Sequence, residues 1–402
     1  MTEKIVLAYS GGLDTSVAVR WLMEHYSAEI ITLTIDLGGG GGLQEAKDRA
    51  IRIGASKALV LDGRQAFVDD YVWPALRSGA LYEGIYPLAT ALGRPLIAKL
   101  LVDVALEEGA FAVAHGCTGK GNDQVRFDVS VAALAPNLKV IAPARDWGMT
   151  RDQEIAYAKE QGIPLDLNKR SSYSVDENLW GRSIEAGDLE DAWVEPPEAA
   201  YSLTKAINET PEEPRYVDID FLKGSPCAVD GKSMSGVALI DLLTDLAGTH
   251  GIGRIDHIED RLVGIKSREV YEAPAGVVLH TAHRALEAMC LGKEQLRLKE
   301  RTGQEYAELV YNGLWFTAHR EDLDAYVQST QRHVSGTVRL RLHKGVCTVV
   351  GRKSEHSLYQ YSLATYATGD QFDHRASEGF ISIYGLPVRT QARIQGTQSS
   401  QS

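Results

Sequence analysis

Tyr9-Ser10-Gly11-Gly12-Leu13-Asp14-Thr15-Ser16 follows the continuously apolar run Ile5-Val6-Leu7-Ala8 and precedes a helical pattern carrying Val17, Val19, Leu22 and Met23. The order is strand, glycine turn, helix. Two glycines let backbone N–H groups approach a ligand closely, and the first helical turn adds unpaired amides and the positive end of its dipole. The stretch is suited to holding an anion such as a phosphate. A tight turn with Ser and Thr as capping residues is the plainer reading of the same letters. It is not a Walker loop: the other Gly-Lys-Ser, Gly231-Lys232-Ser233, has Pro226 where the first glycine belongs. Nor does it follow Gly-x-Gly-x-x-Gly, which disfavours a dinucleotide.

From Lys4 to about Ile163 short apolar runs alternate with helical patterns. Lys4 to Ala8, Glu29 to Leu37, Lys57 to Leu61, Ala110 to His115 and Lys139 to Ala142 read as strands. Runs this continuously apolar suit strands covered on both faces, so the expected fold is α/β, a doubly wound parallel sheet with its ligands beyond the carboxyl ends of the strands. Three loops follow such ends: Ser10 to Thr15, Gly38 to Gly42, and Gly116 to Asn122. The run of five glycines, Gly38 to Gly42, is expected to be mobile until something binds, either as a flexible connector or as a cover for the bound ligand.

His115-Gly116-Cys117-Thr118-Gly119-Lys120-Gly121-Asn122-Asp123-Gln124-Val125-Arg126-Phe127 exposes backbone and then sets polar side chains at helical spacing. Asn122 and Arg126 share a helix face with Asp123 beside them, so an Arg for a carboxylate, an amide for either charge and an Asp for an ammonium converge on one volume. That constellation suits an amino acid. A solvated helix start with an internal ion pair is the alternative. Cys117 reads either as a nucleophile or as a small residue at a strand end.

Ser10 to Ser16 resembles the PP-loop of the ATP pyrophosphatases, which split ATP between the α- and β-phosphates and adenylate a substrate. Tyr9 to Ser16, His115 to Phe127, Ser174-Val175-Asp176-Glu177-Asn178-Leu179-Trp180, and Gly264-Ile265-Lys266-Ser267-Arg268-Glu269-Val270-Tyr271-Glu272-Ala273-Pro274-Ala275-Gly276 together resemble the signature stretches of the argininosuccinate synthase family, in that family's order. The resemblance implies ATP-dependent ligation of citrulline and aspartate to argininosuccinate through citrullyl-AMP, with AMP and pyrophosphate released. It implies ATP as co-substrate with Mg2+, whose ligands stay open. Ala8, Tyr9, Ser10, Gly11, Gly12, Leu13, Asp14, Thr15, Ser16, Ile35 and Gly116 would contact ATP. Thr118, Asn122 and Asp123 would bind aspartate, and Tyr86, Asn122, Arg126, Ser174, Ser183, Glu259 and Tyr271 citrulline, with Asp14 and Asp123 as the catalytic residues. Two places depart from the family's pattern. Five glycines stand where it has Gly-Gln followed by acidic residues, and Ala91 stands where it has a Ser contacting citrulline.

Between Pro164 and Pro214 periodicity weakens, and Glu195-Pro196-Pro197-Glu198 and Pro211-Glu212-Glu213-Pro214 read as acidic, proline-interrupted connection. Beyond it Tyr216 to Phe221 reads as a strand, Val237 to Leu246 and Ala275 to Leu291 as helices, and Thr337 to Leu342 with Cys347 to Val350 as a hairpin. The expected division is an ATP-binding domain over 1–165, an α+β synthetase domain over 166–370, a C-terminal oligomerisation arm over 371–394, and a disordered tail over 395–402. The arm is read from Phe380, Ile381, Ile383, Tyr384, Leu386 and Val388, apolar residues outside any obvious core. The family resemblance implies a homotetramer.

The 402 residues carry a formal charge of −12, so a nucleic-acid partner would have to bind against the field of the whole molecule. Four cysteines without a Cys-x-x-Cys pair argue against a zinc site or disulfide scaffold and fit a reducing cytoplasm. With no signal-peptide pattern and no apolar run near ~18 residues, neither export nor a membrane partner is expected. Two other readings share the first motif. A PP-loop ligase acting on tRNA or with a glutaminase would need a basic surface or an added domain, and an inactive ATP-binding sensor would bind without turnover.

Overall fold

Strand β1 (Lys4–Ala8) lies at the centre of a five-stranded sheet in the computed structural model, which describes residues 3–164 and 173–396. With β2 (Glu29–Asp36), β3 (Lys57–Asp62), β4 (Ala112–Ala114) and β5 (Lys139–Ile141) it forms a parallel sheet in the order β3-β2-β1-β4-β5. The continuous apolar run of β1 has a direct reason. Ile5 and Leu7 enter one core with Val17, Leu22 and Ala50, while Val6 enters another with Leu101, Val102 and Val131. Alternate residues thus serve opposite faces, each covered by helices. Winding reverses between β1 and β4, which puts the loops after these two strands at the switch point where doubly wound sheets bind ligands.

The rest of the chain to His356 adds two antiparallel sheets. One contains β6 (Ser174–Asn178), β7 (Gly181–Glu185), β11 (Arg254–Asp260) and β12 (Lys266–Glu272), in the order β11-β12-β7-β6. The other joins β8 (Arg215–Leu222), β9 (Ser225–Val229), β10 (Lys232–Ser233), β13 (Gly336–His343) and β14 (Val346–Lys353) in the order β10-β9-β8-β13-β14. The expected strand near Tyr216, the helices at Gly236–Thr249 and Pro274–Cys290, and the hairpin through Lys344 and Gly345 are present. The expected connection between Pro164 and Pro214 is in part different, because β6 and β7 form a hairpin there. That hairpin has a muted apolar signal, since one face carries Asp176 and Ser183 into a polar site and the other buries only a small cluster around Ile184 and Val270.

The largest core crosses the chain. Phe67, Trp73, Leu76 and Leu92 from the first part pack with Trp180, Leu239, Leu279 and Val338 from the second. The boundary expected near residue 165 lies outside the described residues.

Residues from Ser357 onward form a separate unit with helices at Ala376–Tyr384 and Leu386–Gln395. Within it Phe380 stacks on Tyr384, yet Phe380, Ile383, Tyr384 and Leu386 are exposed. Of the expected tail, residues 397–402 lie outside the described residues.

Candidate active site

The loop after β1 is braced by its own hydroxyls. Tyr9 shares a 3.1 Å hydrogen bond with Ser16, Ser10 shares one of 3.2 Å with Thr15, and Thr34 of the neighbouring strand donates to the Tyr9 carbonyl at 2.8 Å. The helix Leu13–Tyr26 starts at Gly12, and its first loop-to-helix backbone bond is Ser16 N–H to the Gly12 carbonyl. The amides of Leu13, Asp14 and Thr15 therefore precede the intrahelical ladder and are available to an anion.

Gly116, at the end of β4, closes on this helix: a Cβ there would lie 2.7 Å from Thr15 Cγ2. Below it the buried His115 holds Asp128 at 2.9 Å. Between the two loops opens a cleft of about 390 Å³. Ala8, Tyr9, Ser10, Gly12, Leu13, Asp14, Thr15, Ile35 and Gly116 of the expected ATP set line it. Gly11 and Ser16 do not: Ser16 is wholly buried against Tyr9, and the Gly11 carbonyl accepts from the Arg49 guanidinium. The far wall is Asp176, Glu177 and Asn178 of β6, from the other part of the chain. The glycine run is not uniformly loose. Gly39, at φ +86°, packs so closely that a Cβ would meet Glu177 Cγ at 2.8 Å, whereas Gly40 and Gly41 line the cleft.

Charge concentrates where the cleft meets the start of the Asp123–Leu134 helix. Asp123 accepts from Arg94 at 2.8 Å and from Arg126 at 2.9 Å, and Arg94 also binds Asp176. Desolvation would raise the Asp123 carboxyl, but the two guanidiniums hold it well below the usual carboxylate range. Asp176, desolvated and beside Asp123, is raised despite Arg94. Burial and then the Asp123 charge push the Cys117 thiol up, so it stays protonated at neutral pH and lacks the thiolate that sulfur chemistry requires. At the start of the Leu13–Tyr26 helix, burial followed by hydrogen bonding to Asp14 raises Glu154 to about 7.

The residues expected to meet citrulline gather beyond Asp123. Glu259 is buried and accepts from Tyr271 at 2.6 Å and from Tyr311 on its other oxygen. Tyr86 stacks on Tyr271 with ring centroids 3.8 Å apart, and its hydroxyl shares a 3.1 Å bond with Thr90. Thr90 thus places a hydroxyl at Tyr86, while its neighbour Ala91 is buried in the large core. Arg126 donates from Nε to the Tyr311 carbonyl at 2.8 Å. Asn122 gives its amide N–H to Tyr311 at 2.8 Å and accepts from the Leu262 backbone at 2.9 Å, so both ends are engaged. Ser183 pairs with Tyr271 on one side and Asp176 on the other, which puts the three in one row. Ser174 is exposed on edge strand β6, opposite Glu185 and two pairs further out. Thr118 is exposed on the β4 loop. Arg94, Asp176, Glu154 and Tyr311 have roles here that the sequence did not reveal. Asp176 stands within a stretch already singled out, whereas Arg94, Glu154 and Tyr311 carry no local signal.

A parallel sheet wound β3-β2-β1-β4-β5, with a Ser-Gly-Gly loop at its switch point and a cleft closed by a second sheet, defines a nucleotide-binding α/β protein with an appended antiparallel half. The family model for the arginosuccinate synthase N-terminal HUP domain matches residues 4–164, and that for the arginosuccinate synthase C-terminal domain matches residues 173–391. The argininosuccinate synthase of Dehalococcoides mccartyi is 58% identical over 98% of this chain and 97% of its own. Those of Gloeobacter violaceus and Oceanobacillus iheyensis are 55% and 54% identical, covering 98% and 100% of this chain and 99% and 96% of their own. The chain belongs to the argininosuccinate synthase family, and is an ATP-using ligase of arginine biosynthesis. Among the described residues no helix is long and apolar enough to cross a membrane.

Proposed function

We propose that the chain joins L-citrulline to L-aspartate through citrullyl-AMP, and that the observation carrying this reading is the Asp123–Arg126 pair, whose 2.9 Å contact links the nucleotide cleft to Arg126 and, through Tyr311, to Glu259. The ureido oxygen of citrulline forms a bond to the α-phosphorus of ATP as the bond to pyrophosphate breaks. The aspartate amine then bonds to the ureido carbon, and AMP leaves with the former ureido oxygen. Chemistry of this kind depends on positioning and on stabilising charge that develops on the departing phosphates.

In this reading the free amides of Leu13, Asp14 and Thr15 and the hydroxyls of Ser10 and Thr15 hold pyrophosphate as it gathers charge, and Ile35 and Gly116 flank the nucleotide. Asp123, kept ionised by its arginines, accepts from the aspartate ammonium and orients the amine, with Thr118 and Asn122 on the same substrate. Arg126 takes the citrulline carboxylate and Glu259 its ammonium, among Tyr86, Asn122, Ser174, Ser183 and Tyr271. Mg2+ would travel with the nucleotide phosphates. Among the described residues no cluster of three or more His, Cys, Asp or Glu could cage it, which suits an ion that keeps most of its waters.

The test is pyrophosphate release with citrulline or aspartate omitted in turn, together with citrulline labelled with oxygen-18 in the ureido group. Label should appear in AMP. Productive turnover that yields unlabelled AMP would rule out the adenylated intermediate.

The same reading covers the division into an ATP-binding and a synthetase domain near residue 165, a cytoplasmic location, and a homotetramer held by the C-terminal arm. The arm is supported by the exposure of Phe380, Ile383, Tyr384 and Leu386. Deleting residues 373–402 should lower the particle mass in light scattering, and an unchanged mass would count against it.

A further inference from the structure

Tyr311 ends the Lys293–Tyr311 helix and is 1% exposed. Its hydroxyl donates to Glu259 and accepts from Asn122 Nδ2 at 2.8 Å. Its carbonyl accepts from Arg126 Nε at 2.8 Å, and the same guanidinium lies over its ring, 4.8 Å from the centroid. The opposite support is Tyr82, stacked on it with centroids 3.6 Å apart and planes 4° from parallel. Tyr82 in turn donates at 2.6 Å to the carbonyl of Asp260, the residue after Glu259. One side chain therefore touches three groups that the preceding reading gives to citrulline, and a closed ring of contacts fixes it.

We propose that Tyr311 is a positioning residue for citrulline, holding the Glu259 carboxylate, the Asn122 amide and the Arg126 guanidinium in one mutual geometry. This rests on the citrulline subsite described above. The physical case is one of preorganisation. A carboxylate with one donor can swing about its terminal torsion, whereas Glu259 is held on one oxygen by Tyr271 and on the other by Tyr311, which aims its remaining lone pairs. Arg126 faces the same demand. Its Nε is held by the Tyr311 carbonyl, its plane by the Tyr311 ring and its Nη1 by Asp123, so the orientation of the guanidinium is fixed before a carboxylate arrives. The separation between the anion and cation that receive an α-amino acid is thereby set by a residue that need not touch it. Burial, reinforced by Glu259, pushes the Tyr311 phenol up, so it remains a donor across the working pH range.

Tyr311→Phe removes one oxygen and keeps the ring, the Tyr82 stack and the carbonyl on Arg126. Loss of a hydrogen bond to a charged group predicts an approximately tenfold fall in kcat/KM for citrulline, with the ATP constant unchanged and only a small drop in the thermal midpoint. Glu259→Gln runs in parallel, because it tests the citrulline subsite through its charge while leaving the Tyr311 hydroxyl in place. If Glu259→Gln raises the citrulline constant and Tyr311→Phe does not, the positioning role is wrong while the subsite stands. If Tyr311→Phe lowers the midpoint and weakens all three substrates alike, its hydroxyl is merely structural and the proposal falls. If Glu259→Gln leaves citrulline unaffected, the subsite itself is misplaced, and the role of Tyr311 falls with it.

Discussion

Asn122 Oδ1 accepts a 2.9 Å hydrogen bond from the backbone N–H of Leu262, at the tip of the β11–β12 hairpin. The amide that opens the Asp123–Leu134 helix is thus a tie between that helix and the hairpin carrying Glu259 and Tyr271. Asn122→Ala should loosen the tip, speeding hydrogen exchange at the Leu262 amide and raising the citrulline and aspartate constants together. Unaltered exchange at Leu262 would show that the tie has no weight.

The Asp123–Arg126 ion pair makes a second expectation quantitative. Asp123→Asn and Arg126→Gln should each impair a different substrate most, aspartate and citrulline respectively. Because the two touch at 2.9 Å and share the Arg94 network, the double variant should depart from additivity in kcat/KM. A coupling of about 1–3 kcal/mol is expected for groups in one network, and additivity within ~0.3 kcal/mol would sink the idea.

Gly39 and Gly40 are adjacent yet should answer differently to the same substitution. A methyl at Gly39 meets Glu177 at 2.8 Å and the Asn178 backbone at 3.0 Å with φ at +86°, while among the described residues nothing lies within 4 Å of one at Gly40. Gly39→Ala should cost about 1–3 kcal/mol of stability and raise the ATP constant. Gly40→Ala should leave stability unaltered, and equal losses in calorimetry would refute the contrast.

Glu154 supplies a pH dependence of definite sign. Its carboxyl is raised from 4.5 to about 7, by burial and then by Asp14, so the folded state binds the proton more tightly than the unfolded chain. The stability it contributes is full below pH ~4.5 and is lost as pH rises to about 7. Glu154→Gln, neutral throughout, should gain on the natural protein in thermal midpoint between about pH 5 and pH 8. A difference that does not vary with pH would exclude this pairing.

Cys117 should be chemically quiet. With its thiol pushed up by burial and Asp123, alkylation by iodoacetamide at about pH 7.5 should be slow, and Cys117→Ala should keep kcat within a few-fold. Rapid labelling, or loss of turnover in the variant, would mean that sulfur takes part.

The parallel sheet was legible because β1 feeds two cores at once and so reads as unbroken apolar residues, and because the glycines that follow fit a phosphate turn. Asp123 and Arg126 were legible through helical spacing. The strands β6, β7, β11 and β12 were not, since their site-facing positions are Asp, Glu, Ser and Tyr and the period-two apolar pattern is lost. Tyr311 was invisible for another reason. Its hydroxyl partners lie 52 and 189 positions away, and local periodicity reports a face without naming what it meets.

The core that joins Phe67, Trp73, Leu76 and Leu92 to Trp180, Leu279 and Val338 also bears on how the chain is made. When a ribosome has delivered the first half, the parallel sheet has all its strands, but this aromatic and aliphatic segment still lacks the surface it will bury against. Roughly two hundred further residues must follow, about 10 to 40 seconds of synthesis at ~5–20 residues per second. For that interval the nascent protein carries a sticky face, so the demand for chaperones falls in the middle of translation and ends only when the second half arrives.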